Sequence, residues 1–359
     1  MKNLTKIIGF MLLITVTGSN LNAALSFQRA SSHLKPAERG AFFTTSLGMA
    51  MNLTPSLTDE TELIKNELTL RTISPQYSRY SQYFQYTNHL KLAQDITDEE
   101  LKIIGETCHF LESLDLTNNK NITEQGLAHL TPRLEPILNP DGTQQQRSFG
   151  CPLLKRLNVS NTNINNLQVI FSACPSLKEL NANNSPITDA GLENHPQCQL
   201  LTLEKLHIKI TDITGVGLAA LARACPNLNE LDAHCCSIAD AGLENFPQLP
   251  YLKILNISNT QITGVGLKSL AQACPNLNEL CTEDCPIADE ELENFPELPC
   301  LKFLDISDTE ITKVGLASLA QACKNLTALY GDRSPFAGDS VQVQNLVTLI
   351  PYFLVTRRN

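Results

Sequence analysis

The chain of 359 residues contains no tryptophan, and aromatic residues make up only 6% of it. A stacking platform for sugars or nucleobases is therefore poorly supplied. Basic charge is short as well: 27 Lys and Arg stand against 37 Asp and Glu, for a formal net charge of −10. Nucleic acids and anionic membranes are bound through a basic footprint, which this balance does not offer. Phosphate-cradling glycine loops, HExxH pairs and GxSxG elbows are missing, and no histidine recurs beside a nucleophile. These absences predict a chain that is not an enzyme and that carries no cofactor and no metal.

Long apolar runs are missing too. The stretch from Ile7 to Val16 is short, follows Lys2 and Lys6, and precedes the small residues Ala23 and Ala24. It has the layout of a secretory signal over residues 1–24, the alternative being a buried N-terminal helix. The run from Val347 to Val355 is short and broken by Pro351, so no span is expected in the mature chain. The expected location is outside the cytoplasm, in a periplasm, at a cell surface or secreted. A cytoplasmic chain is the alternative.

What the sequence does contain is repetition. Residues 25–85 show no period and read as an N-terminal cap or a partly disordered region. From residue 86 to 338 a unit recurs: Leu-x-x-Leu-x-apolar-x-x-(Asn/Thr/Cys/Ser)-x-Ile. Copies start at Leu111, Leu154, Leu177, Leu203, Leu228, Leu252, Leu277, Leu301 and Leu326, after a degenerate copy at Leu90-Lys91-Leu92 with Ile96. From Leu154 onward the spacing runs 23, 26, 25, 24, 25, 24 and 25. A longer period lies on top: Leu203, Leu252 and Leu301 are 49 apart, and so are Leu228, Leu277 and Leu326. Duplication of a two-repeat block suits an array in which each unit touches only its neighbours. The apolar first, fourth and sixth positions predict a short strand facing a core. The ninth turns the chain, and its small polar or thiol group can satisfy backbone there. Ile-Thr-x-Val-Gly-Leu then opens a helix capped by Thr263 or Thr312. In alternate units, Glu-Asn-Phe-Pro at 244–247 and 293–296 shortens the helix. The surplus chain at 134–149 reads as an exposed loop, either part of a binding surface or a neutral insertion. Residues 339–359, with Val341, Val343, Leu346, Leu349 and Ile350, read as a C-terminal cap over the open end of the core.

The twelve cysteines follow the repeat. Cys151, Cys174, Cys225, Cys274 and Cys323 stand three residues before a leading leucine, and Cys236 and Cys285 stand at the ninth position. This pattern predicts buried free thiols acting as small apolar groups. A disulfide framework is the alternative, with Cys151 and Cys174 the pair best placed for a bridge. The set His234, Cys235, Cys236, Cys281 and Cys285 has ligands soft enough for zinc. Alternation along the strand should point Cys236 and Cys285 inward and His234 and Cys281 outward or sideways, so no metal site is assigned.

The segments Cys225-Pro226-Asn227-Leu228-Asn229-Glu230-Leu231, Ile238-Ala239-Asp240-Ala241-Gly242-Leu243 and Gly217-Leu218-x-x-Leu221-Ala222-x-Ala224-Cys225 resemble the cysteine-containing subfamily of leucine-rich repeats. The resemblance covers about 250 residues. It implies an α/β solenoid, a horseshoe with a parallel inner sheet and outer helices. Members of that subfamily form the substrate-binding part of F-box proteins in cullin-type ubiquitin ligases, and similar arrays occur in host-directed effectors of intracellular bacteria. Residues 66–75 echo the start of an F-box, but its Leu-Pro opening and its tryptophan are missing. The resemblance therefore implies binding, with the ligase receptor as the alternative.

On the inner face the second, third, fifth, seventh and eighth positions are open to a partner. Early repeats present Lys155, Arg156 and Lys178 with Asn158, Asn181 and Asn183. Later ones present Glu230, Asp232, His234, Asn256, Glu279, Glu283, Asp284, Asp305, Asp308 and Asp332. These ten are the candidate partner-binding residues. They predict a protein partner with a basic surface, or a basic peptide, bound by a monomer.

Overall fold

The computed structural model describes residues 89–92, 96–138, 143–192, 200–338 and 354–355, all within one compact unit that spans Phe84–Asn359. The expected signal, the N-terminal cap and the cap residues Val341 to Ile350 lie outside the described residues. Among the described residues no helix is long and apolar enough to cross a membrane.

Every Leu-x-x-Leu-x-apolar motif forms a three-residue strand. In chain order these are β1 (His89–Lys91), β2 (Ser113–Asp115), β5 (Arg156–Asn158), β6 (Glu179–Asn181), β7 (Lys205–His207), β8 (Glu230–Asp232), β9 (Ile254–Asn256), β10 (Glu279–Cys281), β11 (Phe303–Asp305) and β12 (Ala328–Tyr330). They pair in parallel, each with the next repeat, in a sheet that ends on β13 (Leu354–Val355). The degenerate copy at Leu90 is thus a true repeat, with Leu90, Leu92 and Ile96 buried.

The register is set by one column of leucines. Leu90, Leu114, Leu157, Leu180, Leu206, Leu231, Leu255, Leu280, Leu304 and Leu329 stand opposite one another from strand to strand. All are at most 4% exposed. A one-residue slip would turn this column to solvent, so burial fixes the register.

Helices close the other side of the core: α1 (Asp98–Thr107), α2 (Glu124–Ala128), α3 (Leu167–Ala173), α4 (Gly215–Ala224), α5 (Gly264–Ala273) and α6 (Lys313–Ala322). Thr263 and Thr312 cap as expected, accepting from the amides of Val265 and Val314. The intervening repeats carry only short 3-10 turns, Asp189–Gly191 and Asp289–Leu292, or none. Pro247 and Pro296 prevent longer helices there, since proline lacks the N–H and clashes with the preceding turn.

The ninth position does what its small polar groups allow. Thr211 Oγ1 and Cys236 Sγ both donate to the Ile208 carbonyl, at 2.8 and 3.0 Å. Thr260 and Cys285 share Ile257 O in the same way, and Thr309 and Ser334 share Ile306 O. Cysteine thus replaces a hydroxyl in a buried ladder.

Most of the remaining repeat cysteines are helix C-caps; Cys151 instead donates its amide to the Leu130 carbonyl. Cys174, Cys225, Cys274 and Cys323 donate their amides back to Ile170, Leu221, Leu270 and Leu319. All cysteines among the described residues are free thiols, Cys151 and Cys174 included. Burial pushes the thiols of Cys174, Cys225, Cys274 and Cys323 up to about 12.

One expectation needs correction. The insertion at 134–149 is exposed at 134–136 and 143–148 and buried at Phe149, but it is not an irregular loop. It is an antiparallel hairpin of β3 (Arg133–Leu138) and β4 (Gln144–Phe149). β2 pairs directly with β5 beneath it, so the insertion leaves the sheet unbroken.

Candidate partner-binding face

The open positions of successive strands line up in four rows on the solvent face of the sheet. In the C-terminal half, the third-position row is Glu230, Ile254, Glu279, Phe303 and Ala328. The fifth-position row is Asp232, Asn256, Cys281, Asp305 and Tyr330. The seventh positions are His234, Ser258, Glu283, Ser307 and Asp332. The eighth are Cys235, Asn259, Asp284, Asp308 and Arg333.

The structure divides the ten predicted residues by what they do. At the fifth position the side-chain oxygen accepts the amide two residues on. Asp232 takes the His234 amide at 3.4 Å, Asn256 takes Ser258 at 3.1 Å, and Asp305 takes Ser307 at 3.0 Å. Asp115, Asn158 and Asn181 do the same in earlier repeats. Short Asx bonds of this kind set the turn after the strand. Asp305 is only 4% exposed, which corrects its reading as an open residue: it is held inward by the turn it forms.

Glu230 and Asp232 are also ion-paired within the sheet. Lys205 and His207 reach Glu230 at 3.0 Å each, and Lys209 reaches Asp232 at 2.8 Å. Burial alone would push the Glu230 carboxyl up. The hydrogen bonds and charges of Lys205 and His207 outweigh that and hold it below the usual carboxylate range. Glu230 and Asp232 are thus partly neutralised by their neighbours. His234 Nε2 lies 3.2 Å from the exposed Cys235 sulfur. Among the described residues no three metal-ligating side chains converge.

Glu279, Glu283, Asp284, Asp308 and Asp332 remain. Glu279 and Asp284 are exposed, while Glu283 and Asp332 are half-buried. Arg333 donates to Asp308, and Glu283 and Asp332 lie close enough to act on the same guanidinium. The acidic charge gathers along the seventh and eighth positions, at the C-terminal edge of the strands.

Reading the sequence by charge missed three features of this face. Ile254, Phe303 and Tyr330 are half-buried on this face, and the Phe303 and Tyr330 rings meet. Exposed Lys253 and Lys302 stand at the second position, so apart from Glu279 at the third position the exposed acid of these repeats on this face lies toward the C-terminal edge of the strands. The third is backbone geometry. Every eighth-position residue from Asn118 to Arg333 has φ between 53° and 65°. Asn and Asp tolerate this left-handed region better than other side-chain-bearing residues, so the asparagines there answer to the turn. Ile210, Cys235 and Arg333 depart from that rule, and the β-branched Ile210 is 57% exposed.

A leucine-rich-repeat family model matches residues 107–130, 248–271 and 297–320. Each matched segment begins near a helix C-cap or the preceding turn, runs through a strand, and ends in the following helix or just past it. The fold is a leucine-rich-repeat solenoid. No curated protein matches the chain. Among solved structures, a plant peptide hormone receptor, RGFR1 in complex with RGF2, is 14% identical with a TM-score of 0.39. The match covers 71% of this chain and 45% of that one, so the present solenoid spans less than half of the receptor chain.

Proposed function

We propose that this solenoid is a non-catalytic, monomeric protein-binding scaffold. Its solvent-facing sheet receives a basic protein surface or peptide along the acidic edge of its last three repeats. One observation carries the reading: Glu283, Asp284, Asp308 and Asp332 come from three successive repeats to one edge, with Arg333 as the cation among them. Clustered charge of one sign steers and orients a partner of the opposite sign. The layout of residues 1–24 supports export, and with it a role outside the producing cell, such as that of a host-directed effector.

The test uses purified full-length chain and fluorescein-labelled hexalysine in an anisotropy titration. Binding that weakens steeply between ~50 and ~300 mM salt is expected, since exposed charges are screened over about 10 Å or less. Glu283→Lys with Asp308→Lys should reduce affinity by at least about tenfold. Unchanged affinity in that double variant would sink the acidic-edge reading. Intact mass of the product in each compartment tests export: an uncleaved cytosolic chain counts against it.

A further inference from the structure

The acidic edge does not stand alone. Beside it, the Phe303 and Tyr330 rings lie 5.1 Å apart between centroids, tilted by 42°. Both are half-buried and face solvent across the sheet, Phe303 from β11 and Tyr330 from β12. These positions normally carry polar groups in this chain: Arg156, Glu179, Lys205, Glu230 and Glu279 at the third, and six Asx residues at the fifth. These two adjacent aromatics lie on the opposite side of their strands from the core leucines Leu304 and Leu329.

Their neighbours define what could rest on them. In register, Phe303 stands between Glu279 on β10 and Ala328 on β12. Adjacent strands are about 4.8 Å apart, so Glu279 stands one strand from Phe303 on one side and the small Ala328 one strand away on the other. Toward the C-terminal end of the strands, Glu283 and Asp332 follow at the seventh position, with Asp284 and Asp308 at the eighth. A π-face with carboxylates on two sides is matched by a planar cation: the face attracts the charge, and the carboxylates accept its N–H groups. The chain's own Arg333 already donates to Asp308 within this acidic border.

Resting on the binding reading above, we infer that Phe303 and Tyr330 are the seat for an arginine side chain of the partner. The guanidinium stacks on the aromatic pair and directs its N–H groups to Glu279 and Glu283. Arginine fits better than lysine because its planar, weakly hydrated head can stack and fork at once, whereas an ammonium is a hydrated point charge. The inference thus names a side chain where the binding reading names only a sign of charge.

The test compares fluorescein-labelled hexa-arginine with hexalysine on the full-length chain at matched salt. Hexa-arginine should bind about tenfold tighter, the scale of a partly desolvated cation–π contact. Phe303→Ala with Tyr330→Ala should erase that preference and leave salt-sensitive binding of both peptides. Tyr330→Phe should keep the preference, which guards against a folding defect. Equal affinity of the two peptides, or a preference that survives the double alanine variant, overturns the arginine seat while leaving the acidic edge standing. Binding of neither peptide at low salt overturns the binding reading itself.

Discussion

The repeats are joined by carboxylates that cap their neighbours' helices. Asp240 belongs to the repeat starting at Leu228, yet it accepts from the Thr263 amide at 2.9 Å, the Thr263 hydroxyl at 2.6 Å and the Gly266 amide at 3.1 Å in the next repeat. These groups open α5. Two of them are first-turn amides that no intrahelical carbonyl can serve. Asp240→Ala leaves them to water in a half-buried crevice. With a hydrogen bond to a charged group worth about 1.5–3 kcal/mol, discounted for partial exposure, the loss is about 3 kcal/mol. The same geometry explains Gly266, where an added Cβ would sit 2.3 Å from Asp240 Oδ1. Gly266→Ala in the intact chain must displace that carboxylate, at a cost of about 2 kcal/mol after the gain of about 1 kcal/mol from helix propensity. Once Asp240 is alanine, the principal clash is gone. The double variant should then cost about 2–3 kcal/mol, against about 5 kcal/mol if the effects added, a coupling of about 2 kcal/mol. Urea unfolding of the four chains measures the cycle, with the exposed Glu244→Ala as a surface control expected within about 0.5 kcal/mol of the parent. Additivity within about 0.5 kcal/mol would refute the cap as the reason for the glycine.

Two further perturbations read the backbone and the thiols. Ile210→Asn should stabilise the chain by about 1–2 kcal/mol, because it relieves a β-branched residue at φ 56° where four other repeats carry asparagine. A thermal melt checks it, and an unchanged or lower Tm counts against strain at that turn. The caps Cys174, Cys225, Cys274 and Cys323 are raised in the folded state from 9.0 to about 12. The unfolded thiols ionise first as pH rises, so the folded chain holds more protons between about pH 9 and 12. Stability is full below pH 9 and falls above it, by about 1.4 kcal/mol per pH unit for each such thiol. Iodoacetamide mass mapping at pH 8 should label the exposed Cys235 and spare these four. A flat urea midpoint from pH 8 to 10.5 would contradict the assignment.

The period, the strands, the inward leucines and the threonine caps were legible because they depend on apolar spacing and local chain chemistry. Less legible was the division of labour among polar residues. Asp232, Asn256 and Asp305 look like ligand contacts in a one-dimensional reading, and only the turn geometry shows that their oxygens hold the next amides. Phe303 and Tyr330 also stand in the open rows, but neither carries charge, and their pairing across strands appears only in the register of β11 with β12. The 49-residue period also acquires a cause. Within a block, two repeats share one carbonyl through the ninth position, as Thr260 and Cys285 share Ile257 O. Between blocks an aspartate caps the next helix, as Asp189, Asp240 and Asp289 do. The junctions alternate, so a duplication that preserves both kinds must copy two repeats. Asp98 caps the helix after Thr123 in the same manner, which makes the repeat starting at Leu111 the first of a block. Its successor at Leu154 is also a first member, since Thr162 shares Val159 O with Ser185. The alternation therefore skips one step between Leu111 and Leu154, and the hairpin of β3 and β4 stands at that step. There Glu124 accepts the Asn165 amide at 3.0 Å, a junction of a third kind that joins two first members directly.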